Sequence, residues 1–322
     1  MIVIACPGQG SQTPGFLAPW AEIPQVATAL GELGEAAGVD VLTHGTTSDA
    51  DTIKDTAVAQ PLIVAAGLAT AVAVFGQPYA VSGTVVSGHS VGEITAAGLT
   101  GVLAPADAMA FVALRGRGMA AASAVTPTGM SAVLGGDPDE IQAALAAHGL
   151  TPANMNGAGQ VVAAGTLEQL AALAADPPAK ARVIPLKVAG AFHTTHMAPA
   201  VAELAGFAEG LATGDPATSV VSNAEGQVVT TGAEVLRRLV NQVSNPVRWD
   251  LCMQTFTALG ATAMLELAPA GTLVGLAKRA MPGVETLAVK TPDDLDRARE
   301  LIATHTGTDT HPGTATHPGS GE

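Results

Sequence analysis

The stretch "GHSVGE" places Ser90 between two glycines, in the pattern G-x-S-x-G that is typical of a nucleophilic serine on a sharp turn. The apolar letters "TVVSG" before the serine predict a short strand, and "EITAAGLTGV" after it is long enough for a helix. A strand, a sharp turn and a helix form the local context that such a serine needs. We therefore predict that Ser90 is a nucleophile and that the backbone N–H of Val91 is one donor to its oxyanion.

A nucleophilic serine also needs a second oxyanion donor, which must come from another loop that follows a strand. The predicted first strand, "IVIAC", ends at "PGQGSQ", where Gly8 and Gly10 allow the backbone to come close to a substrate. The same glycines raise the alternative of a dinucleotide-binding turn. We reject that interpretation because the third glycine is absent at the required spacing and no acidic residue follows at the right distance.

We expect the base that activates the serine hydroxyl to be a histidine. His89 is adjacent to the serine, and adjacent residues of a sharp turn point away from each other, so we interpret it as structural. His148 lies on the face of a predicted amphipathic helix, and His44 lies in a predicted loop. The stretch "GAFHTTHM" leaves His193 and His196 as candidates, and spacing alone does not choose between them.

Length and composition bound the class of protein. A chain of 322 residues can form one large domain or two ordinary ones and can bury a sizeable core. Hydrophobic residues make up 48% and aromatic residues 3%, so we expect a core of Ala, Val and Leu. A formal net charge of −14 argues against nucleic acid as the main partner, because binding to phosphates requires the opposite sign.

The two cysteines, Cys6 and Cys252, lie in apolar sequence, and we expect buried free thiols in a cytoplasmic protein rather than a disulfide. The first residues, "MIVIACPGQG", lack a basic leader and reach a Pro-Gly turn too early for a signal peptide. No uninterrupted apolar run of about 18 residues stands out, so we expect no membrane span.

Residues 128–189 form a predicted subdomain of their own. In it, "MSAVLGG" predicts a strand, and Asp137 with Pro138 opens a helix. The stretch "NMNGAGQVVAAG" predicts a hairpin with a Gly-rich turn. Thr166 and Gln169 form a capping box at a second helix, and "ARVIPLKV" predicts a closing strand. The order β-α-β-β-α-β is that of a ferredoxin-like unit.

The flanking segments, residues 1–127 and 190–303, alternate predicted strands and helices, including the helix "AQPLIVAAGLATAVAVFG" with Pro61 near its start. Alternation of this kind predicts an α/β fold: a large α/β-hydrolase-like subdomain with a mostly parallel sheet, into which the ferredoxin-like unit is inserted. Residues 304–322 change to "THTGTDTHPGTATHPGSGE", which predicts a disordered tail rather than a metal site. Histidines recur in this tail at every sixth residue: His305, His311 and His317.

Six stretches occur in an order that is specific to one family: "PGQGSQ", "GHSVGE", "LRGRGM", "NMNGAGQVVAAG", "GAFHTTHM" and "NQVSNPVRW". On these motifs the chain resembles the malonyl-CoA:acyl-carrier-protein transacylases of bacterial fatty acid and polyketide synthesis, and the acyltransferase domains of polyketide synthases. The resemblance covers nearly all of residues 1–300. It implies transfer of malonyl from malonyl-CoA to the phosphopantetheine thiol of acyl carrier protein, by a ping-pong mechanism through a malonyl-serine intermediate and without a cofactor or metal.

The resemblance implies roles for individual residues. Ser90 matches the acylated nucleophile, and His193 matches the residue that acts as general base and then as general acid. The backbone N–H of Gln9 matches the second oxyanion donor beside that of Val91. Arg115 in "LRGRGM" matches the arginine that pairs with the free carboxylate of malonyl, a partner suited to its two parallel N–H donors.

Further matches concern the base and the acyl pocket. Gln242 in "NQVSNP" matches a residue near the base whose backbone carbonyl orients the imidazole, whereas His196 has no matching role. Asp176, the nearest aspartate before the base, lies in a predicted loop, so we expect a Ser–His dyad without an acid. Val91 and Phe192 resemble the malonyl-selective pattern, in which a bulky Phe disfavours a 2-methyl branch by about 1–3 kcal/mol. The first letter of "GAFH" departs from the commoner "HAFH".

Two other classes of function stay open. A serine hydrolase or thioesterase would use the same sharp turn, but it has no need of an arginine that faces the acyl group. A non-catalytic module that binds the carrier protein would keep its docking surface and lose the dyad. The presence of both Ser90 and His193 argues against the second class.

Acyl carrier protein and malonyl-CoA are the expected partners, with neither nucleic acid nor a membrane. We expect a monomer, because the sequence has no large repeat and no coiled-coil pattern. Carrier proteins are typically acidic, so docking requires a local positive surface despite the net charge of −14. The candidate residues for that surface are basic: Lys180, Arg182, Lys187, Lys278 and Arg279.

Overall fold

The computed structural model describes residues 1–77 and 82–307, in which strands alternate with helices as predicted. The strands are β1 (Ile2–Cys6), β2 (Thr84–Gly88), β3 (Thr128–Gly135), β4 (Thr151–Gly157), β5 (Gln160–Thr166), β6 (Ala181–Pro185), β7 (Ser219–Val221), β8 (Val228–Val229), β9 (Ala263–Glu266) and β10 (Glu285–Ala288). The helices are α1 (Ala18–Ala21), α2 (Pro24–Ala37), α3 (Val41–Thr46), α4 (Thr56–Phe75), α5 (Gly92–Leu99), α6 (Pro105–Ser123), α7 (Pro138–Ala147), α8 (Leu167–Ala175), α9 (Ala198–Ala208), α10 (Gly232–Gln242), α11 (Trp249–Ala258), α12 (Thr272–Ala280) and α13 (Leu295–Thr306).

The larger sheet has the strand order β10-β9-β1-β2-β7-β8, and every neighbouring pair is parallel except β7 with β8. All residues of β1 are buried, as expected for a strand covered by helices on both faces. Ile2 and Ile4 belong to the main apolar core with α4 and α6, whereas Val3 packs with α11 and α12 on the other face. Because Cys6 lies opposite Gly88, the loops after β1 and β2 meet at the carboxyl edge of the sheet.

The smaller sheet has the strand order β4-β5-β3-β6 and is antiparallel throughout. Helices α7 and α8 contribute Ile141, Leu145 and Leu173 to a core of their own with Val133 of β3. The element order β3-α7-β4-β5-α8-β6 therefore confirms the predicted ferredoxin-like unit, inserted between α6 and α9 of the larger α/β layer. The exact residue boundaries of the two subdomains stay a prediction.

Helix α4 is the central helix of the main core. The sequence places Pro61 near its start, but the helix begins earlier, at Thr56, and Pro61 lies inside it. The reason is the cap: the Asp55 side chain accepts the backbone N–H of Ala57 at 2.8 Å and starts the helix there. The helix is long and apolar enough to cross a membrane by length and composition, but 83% of its apolar window is buried inside the protein, which makes it a core helix.

The last helix, α13, follows a capping box formed by Thr291 and Asp294. It continues through Thr306 and ends at Gly307, which has a left-handed φ of 69°. The predicted tail therefore starts too early: His305 lies in this helix, with Nδ1 2.7 Å from the Thr262 hydroxyl oxygen. The other two tail histidines, His311 and His317, lie outside the described residues. As predicted, Cys6 and Cys252 are both buried and free.

Candidate active site

The turn after β2 holds Ser90 in a backbone conformation that only close packing can maintain. Its φ is 54°, in the left-handed region that non-glycine residues rarely occupy. A Cβ on Gly88 would lie 1.9 Å from the carbonyl carbon of Gly92, and a Cβ on Gly92 would lie 2.2 Å from the carbonyl oxygen of Cys6. Both glycines of the G-x-S-x-G pattern are thus required by packing, and the turn aims the serine at the carboxyl edge of the sheet.

Ser90 and His193 lie in hydrogen-bond contact, with 2.7 Å between Ser90 Oγ and His193 Nε2. His193 Nδ1 lies 2.8 Å from the backbone carbonyl oxygen of Gln242. A carbonyl can only accept, so Nδ1 carries the proton and Nε2 is free to accept the proton of the serine hydroxyl. This geometry is that of a nucleophile and its base, the base being oriented by a main-chain carbonyl instead of a carboxylate.

The base is held neutral by its surroundings. His193 is 3% exposed, and its own φ is 61°. Burial, followed by the positive charge of Arg115, lowers the pKa of His193 to about 3. The imidazole is therefore unprotonated at neutral pH and able to take a proton from Ser90.

Two backbone N–H groups border the nucleophile without an acceptor in the described part of the chain, those of Gln9 and Val91. Both residues line the cavity in front of Ser90. The loop that carries Gln9 is pressed against the serine turn, because a Cβ on Gly8 would lie 2.7 Å from the carbonyl oxygen of His89. The two unpaired donors on neighbouring loops have the arrangement expected of an oxyanion hole.

Arg115 extends from α6 into the same site and is 1% exposed. Its Nη1 donates to Gln60 Oε1 at 2.7 Å, and its Nη2 donates to Gln242 Oε1 at 2.9 Å. Nη2 also lies 3.4 Å from Ser90 Oγ, and Nε has no partner within the described residues. Burial lowers the pKa of Arg115 to about 10, so the guanidinium remains charged at neutral pH. A buried cation with only neutral hydrogen-bond partners is suited to bind a carboxylate next to the nucleophile.

The cavity in front of the dyad has a volume of about 220 Å³. Phe192 and Met130 form part of its apolar wall, and Leu276 of α12 lies on its lining as well. Gly190, the first residue of "GAFH", is not part of that lining. A Cβ on Gly190 would lie 2.5 Å from Ser123 Oγ, so this position is packed against α6 and has no room for a larger side chain without movement.

Three polar side chains contact the site residues although the sequence does not mark them: Gln60, Glu93 and Asn223. Asn223 Oδ1 accepts the backbone N–H of Ser90 at 2.8 Å, and Asn223 Nδ2 donates to the carbonyl of Gly88 at 2.7 Å. Glu93 is 4% exposed and accepts from the backbone N–H of Asn223 at 2.7 Å. The sequence marks Glu93 only as an acidic residue in the first turn of a predicted helix. Such a residue interacts favourably with the helix dipole and does not by itself indicate a functional site. Nothing local marks Asn223.

His89 lines the same cavity as Ser90, but neither His89 nor His196 forms a hydrogen bond with the serine hydroxyl. His89 Nε2 lies 2.8 Å from Asn156 Oδ1 of β4, and its ring contacts Trp249 edge-on, which agrees with a structural role. His196 lies in a short 3₁₀ turn, and Asp176 is the exposed residue that ends α8. Within residues 1–77 and 82–307, no group of three or more His, Cys, Asp and Glu side chains could hold a metal ion.

Comparison with known proteins assigns the class. The family described as acyl transferase domain matches residues 3–292. The class is therefore that of the acyl transferases.

Individual relatives narrow the assignment. The malonyl CoA-acyl carrier protein transacylase of Mycobacterium tuberculosis is 50% identical over 303 residues, which is 94% of this chain and 100% of that protein. The crystal structure of MCAT from Mycobacterium tuberculosis matches with a TM-score of 0.87 and covers 92% of this chain and 99% of the other. A type II polyketide acyl-carrier protein in complex with its malonyl-transacylase matches with a TM-score of 0.86 at 31% identity, covering 93% and 99% of the two chains. The chain belongs to the malonyl CoA-acyl carrier protein transacylases.

Proposed function

We propose that this chain transfers a malonyl group from malonyl-CoA to the phosphopantetheine thiol of an acyl carrier protein through a malonyl-Ser90 intermediate. The observation that carries the proposal is the buried Arg115, whose Nη2 lies 3.4 Å from Ser90 Oγ. A guanidinium at that distance can hold the distant carboxylate of a short dicarboxylic acyl group while the serine reacts with its thioester end.

In the first half-reaction, the malonyl carboxylate pairs with Arg115 and the thioester carbonyl faces Ser90. Ser90 Oγ forms a bond to the carbonyl carbon while its proton passes to His193 Nε2. The oxyanion that develops accepts from the N–H groups of Gln9 and Val91. Collapse breaks the carbon–sulfur bond, and His193 returns its proton to the departing CoA sulfur.

The second half-reaction reverses these steps with another thiol. The phosphopantetheine thiol gives its proton to His193 Nε2, and its sulfur bonds to the malonyl carbonyl carbon. The bond from that carbon to Ser90 Oγ then breaks, and the serine oxygen regains the proton from His193. Arg115 holds the malonyl carboxylate through both halves. Because CoA leaves the malonyl-Ser90 intermediate before the second thiol reacts, the kinetics should be ping-pong.

The two rival classes of function fit the site less well. A hydrolase that acts on neutral esters gains nothing from the charge of Arg115, whose burial is costly without an anionic partner. A module that only binds the carrier protein has no use for a Ser90–His193 contact of 2.7 Å or for a strained serine turn. Both features support acyl transfer.

Docking of the carrier protein is proposed at the mouth of the cavity. All five basic candidates are exposed. Lys187 lies between Leu186 and Val188, which line the cavity. Arg279 lies three residues after Leu276 on α12, and therefore on the same helix face. Lys187 and Arg279 are thus better placed to meet an acidic partner than Lys180, Arg182 and Lys278.

A cytoplasmic location and a monomeric state stay predictions.

The proposal is tested by intact-protein mass spectrometry after brief mixing with malonyl-CoA, acetyl-CoA or methylmalonyl-CoA, beside a Ser90→Ala control. We expect a malonyl adduct from malonyl-CoA that is absent in the control. A folded wild-type protein that forms no adduct with any of the three thioesters would overturn the proposed function.

A further inference from the structure

A buried polar cluster lies beneath the serine turn and joins three separate segments of the chain. It consists of Glu93 in the first turn of α5, Asn223 after β7, and Gln242 at the end of α10, and we call it the elbow cluster. All three side chains are buried, and none of them is needed as a proton carrier in the acyl transfer. Burying a carboxyl group is costly unless its oxygens receive hydrogen bonds, so its partners matter.

The two carboxyl oxygens of Glu93 accept hydrogen bonds from two different segments of the chain. Oε1 accepts from the backbone N–H of Asn223 at 2.7 Å, and Oε2 accepts from Nε2 of Gln242. Gln242 Nε2 also donates to Asn223 Oδ1 at 3.2 Å, so Glu93 and Gln242 each bond both other members of the elbow cluster.

The first consequence concerns Gln242, whose amide can point in two ways. A carboxylate can only accept, so the NH2 group of Gln242 must face Glu93, and its Oε1 must face the opposite side. On that opposite side, Oε1 accepts from Nη2 of Arg115 at 2.9 Å. If the amide turned over, its NH2 group would face the guanidinium, donor against donor, and Arg115 would lose this support.

The second consequence concerns the serine turn itself. With its backbone held by Glu93, Asn223 accepts the N–H of Ser90 and donates to the carbonyl of Gly88. The side-chain NH2 of Gln242 adds a contact of 3.2 Å to the carbonyl oxygen of Ser90. These bonds hold both sides of a residue whose φ is 54°.

We propose that Glu93 is a positioning residue for malonyl recognition: its carboxylate orients the Gln242 amide, and through it the Arg115 guanidinium, while its bond to Asn223 secures the strained turn of Ser90. The proposal rests on the roles of Ser90 and Arg115 in the proposed function. It adds a residue that touches neither substrate nor base and yet sets the acyl preference.

The charge of Glu93 is part of this device. Burial raises the pKa of Glu93 to about 7, against the bonds it accepts from Asn223 and Gln242 and against the charge of Arg115. Among the elements packed around it, the titratable groups are Arg115 on α6 and the buried thiol of Cys252 on α11. A protonated Glu93 would offer an O–H to the NH2 group of Gln242, which leaves only the two 3.2 Å contacts of that group, with the Ser90 carbonyl oxygen and with Asn223 Oδ1, to hold the amide in its orientation. Malonyl preference should therefore decline as the pH falls through about 7.

The test compares Glu93→Gln with the wild type in acylation of Ser90 by malonyl-CoA and by acetyl-CoA, followed by mass spectrometry. The glutamine side chain has one accepting oxygen and one donating NH2 group. Either the N–H of Asn223 or the NH2 group of Gln242 would therefore face a donor instead of an acceptor. We expect the malonyl rate to fall by about 10- to 100-fold and the malonyl-over-acetyl ratio to fall by about tenfold. The wild-type ratio should decline between pH 8 and pH 6, whereas the Glu93→Gln ratio should be flat.

Two variants separate positioning from a general loss of structure. Glu266→Gln is the matched control, since Glu266 is also fully buried and accepts from the backbone N–H groups of Gly271, Leu273 and Val274. It should leave the acyl ratio unchanged. Glu93→Asp keeps a carboxylate and should restore most of the ratio and its pH dependence, which also covers the case in which Glu93→Gln does not fold.

The outcomes distinguish this inference from the proposed function. An unchanged ratio and pH profile in folded Glu93→Gln, with a normal wild-type adduct, would overturn the role of Glu93 and leave the acyl transfer standing. A wild type without an adduct would remove the proposed function itself.

Discussion

Burial acts on three ionisable side chains at the active centre, and its effect differs with the type of group. It lowers the pKa of His193 to about 3 and raises that of Glu93 to about 7, while Arg115 keeps its charge with a pKa of about 10. The same buried environment thus keeps the imidazole neutral, brings the pKa of Glu93 close to neutral pH, and leaves Arg115 without a carboxylate hydrogen-bond partner among residues 1–77 and 82–307. Each property can be tested by a single substitution.

Replacing Arg115 by lysine should keep the charge and lose the two parallel donors. We expect acylation by malonyl-CoA to slow by about 10- to 100-fold, the scale of one charge-assisted hydrogen bond, with a much smaller effect on acetyl-CoA. Arg117→Lys on the same helix is the control, because Arg117 is exposed. The measurement is the rate of adduct formation at Ser90. An equal loss with both thioesters would show that Arg115 does not select the acyl group.

The low pKa of His193 also links stability to pH. The folded protein keeps this side chain neutral down to about pH 3, whereas an unfolded histidine binds a proton below about 6.5. The unfolded state therefore gains protons first, and the folded state loses about 1.4 kcal/mol per pH unit from this group as the pH falls below about 6.5. Glu93 has the opposite sign: its raised pKa contributes stability that is lost as the pH rises through about 7.

His193→Asn should remove the first of these slopes. Urea unfolding at pH 6.5 and pH 5.5 should show a loss of stability that is about 1 kcal/mol smaller in the variant than in the wild type. His196→Asn, at a half-buried position three residues away, serves as the control. Parallel pH dependences in wild type and His193→Asn would show that the base is not held neutral by burial.

At the scale of elements, the serine turn depends on how closely β1, β2 and α5 approach one another. The contact is between main-chain atoms, because the backbone of Gly92 packs against the carbonyl of Cys6. A side chain cannot rotate away from such a contact, so either the turn or the sheet must move.

Gly92→Ala is expected to lower the free energy of unfolding by about 1–3 kcal/mol, the typical cost of overpacking a core, and to slow acylation of Ser90. Gly31→Ala in α2 is the matched control, since a Cβ at Gly31 meets nothing within 4 Å. That change should raise the free energy of unfolding by about 0.5–1 kcal/mol, because alanine favours a helix interior. Denaturant unfolding of both variants measures the difference. A Gly92→Ala variant as stable as the wild type would contradict the packing argument.

Lys278 and Arg279 are neighbours on helix α12 and point in different directions. A comparison of the two tests where the carrier protein docks. Arg279→Glu lies on the face of Leu276 and should raise the KM for the carrier protein about three- to tenfold, with the rate of acylation by malonyl-CoA kept. Lys278→Glu changes the net charge by the same amount, but Lys278 does not lie on the face of Leu276, so this variant should have little effect on the KM for the carrier protein. Equal effects of the two variants would indicate a general charge effect and no local docking surface.

At the scale of the whole molecule, features formed by residues close together in the sequence could be predicted, whereas contacts between distant segments could not. The elbow glycines, the capping box of Thr166 and Gln169 and the hairpin each lie within a few residues, and the structure contains all of them. Glu93 and Asn223 are 130 residues apart, and their contact exists because β2 and β7 are neighbours in the sheet. No pattern of spacing reveals such a pair. The assignment of the base was open between two histidines from the residues alone, and the resemblance to a family chose the one that the structure places beside Ser90.

The buried guanidinium described above has a consequence for the thermodynamics of the free protein. Arg115 is 1% exposed and forms no ion pair within the described residues, so a dianion that fits beside it would bind only to the folded state. By mass action, malonate at about 100 times its dissociation constant should add about 2.7 kcal/mol to the free energy of unfolding, whereas acetate at the same ionic strength should add far less. The melting temperature of the protein would then report occupancy of the acyl site without any turnover, so that small dicarboxylates can be ranked as ligands before a carrier protein is in hand.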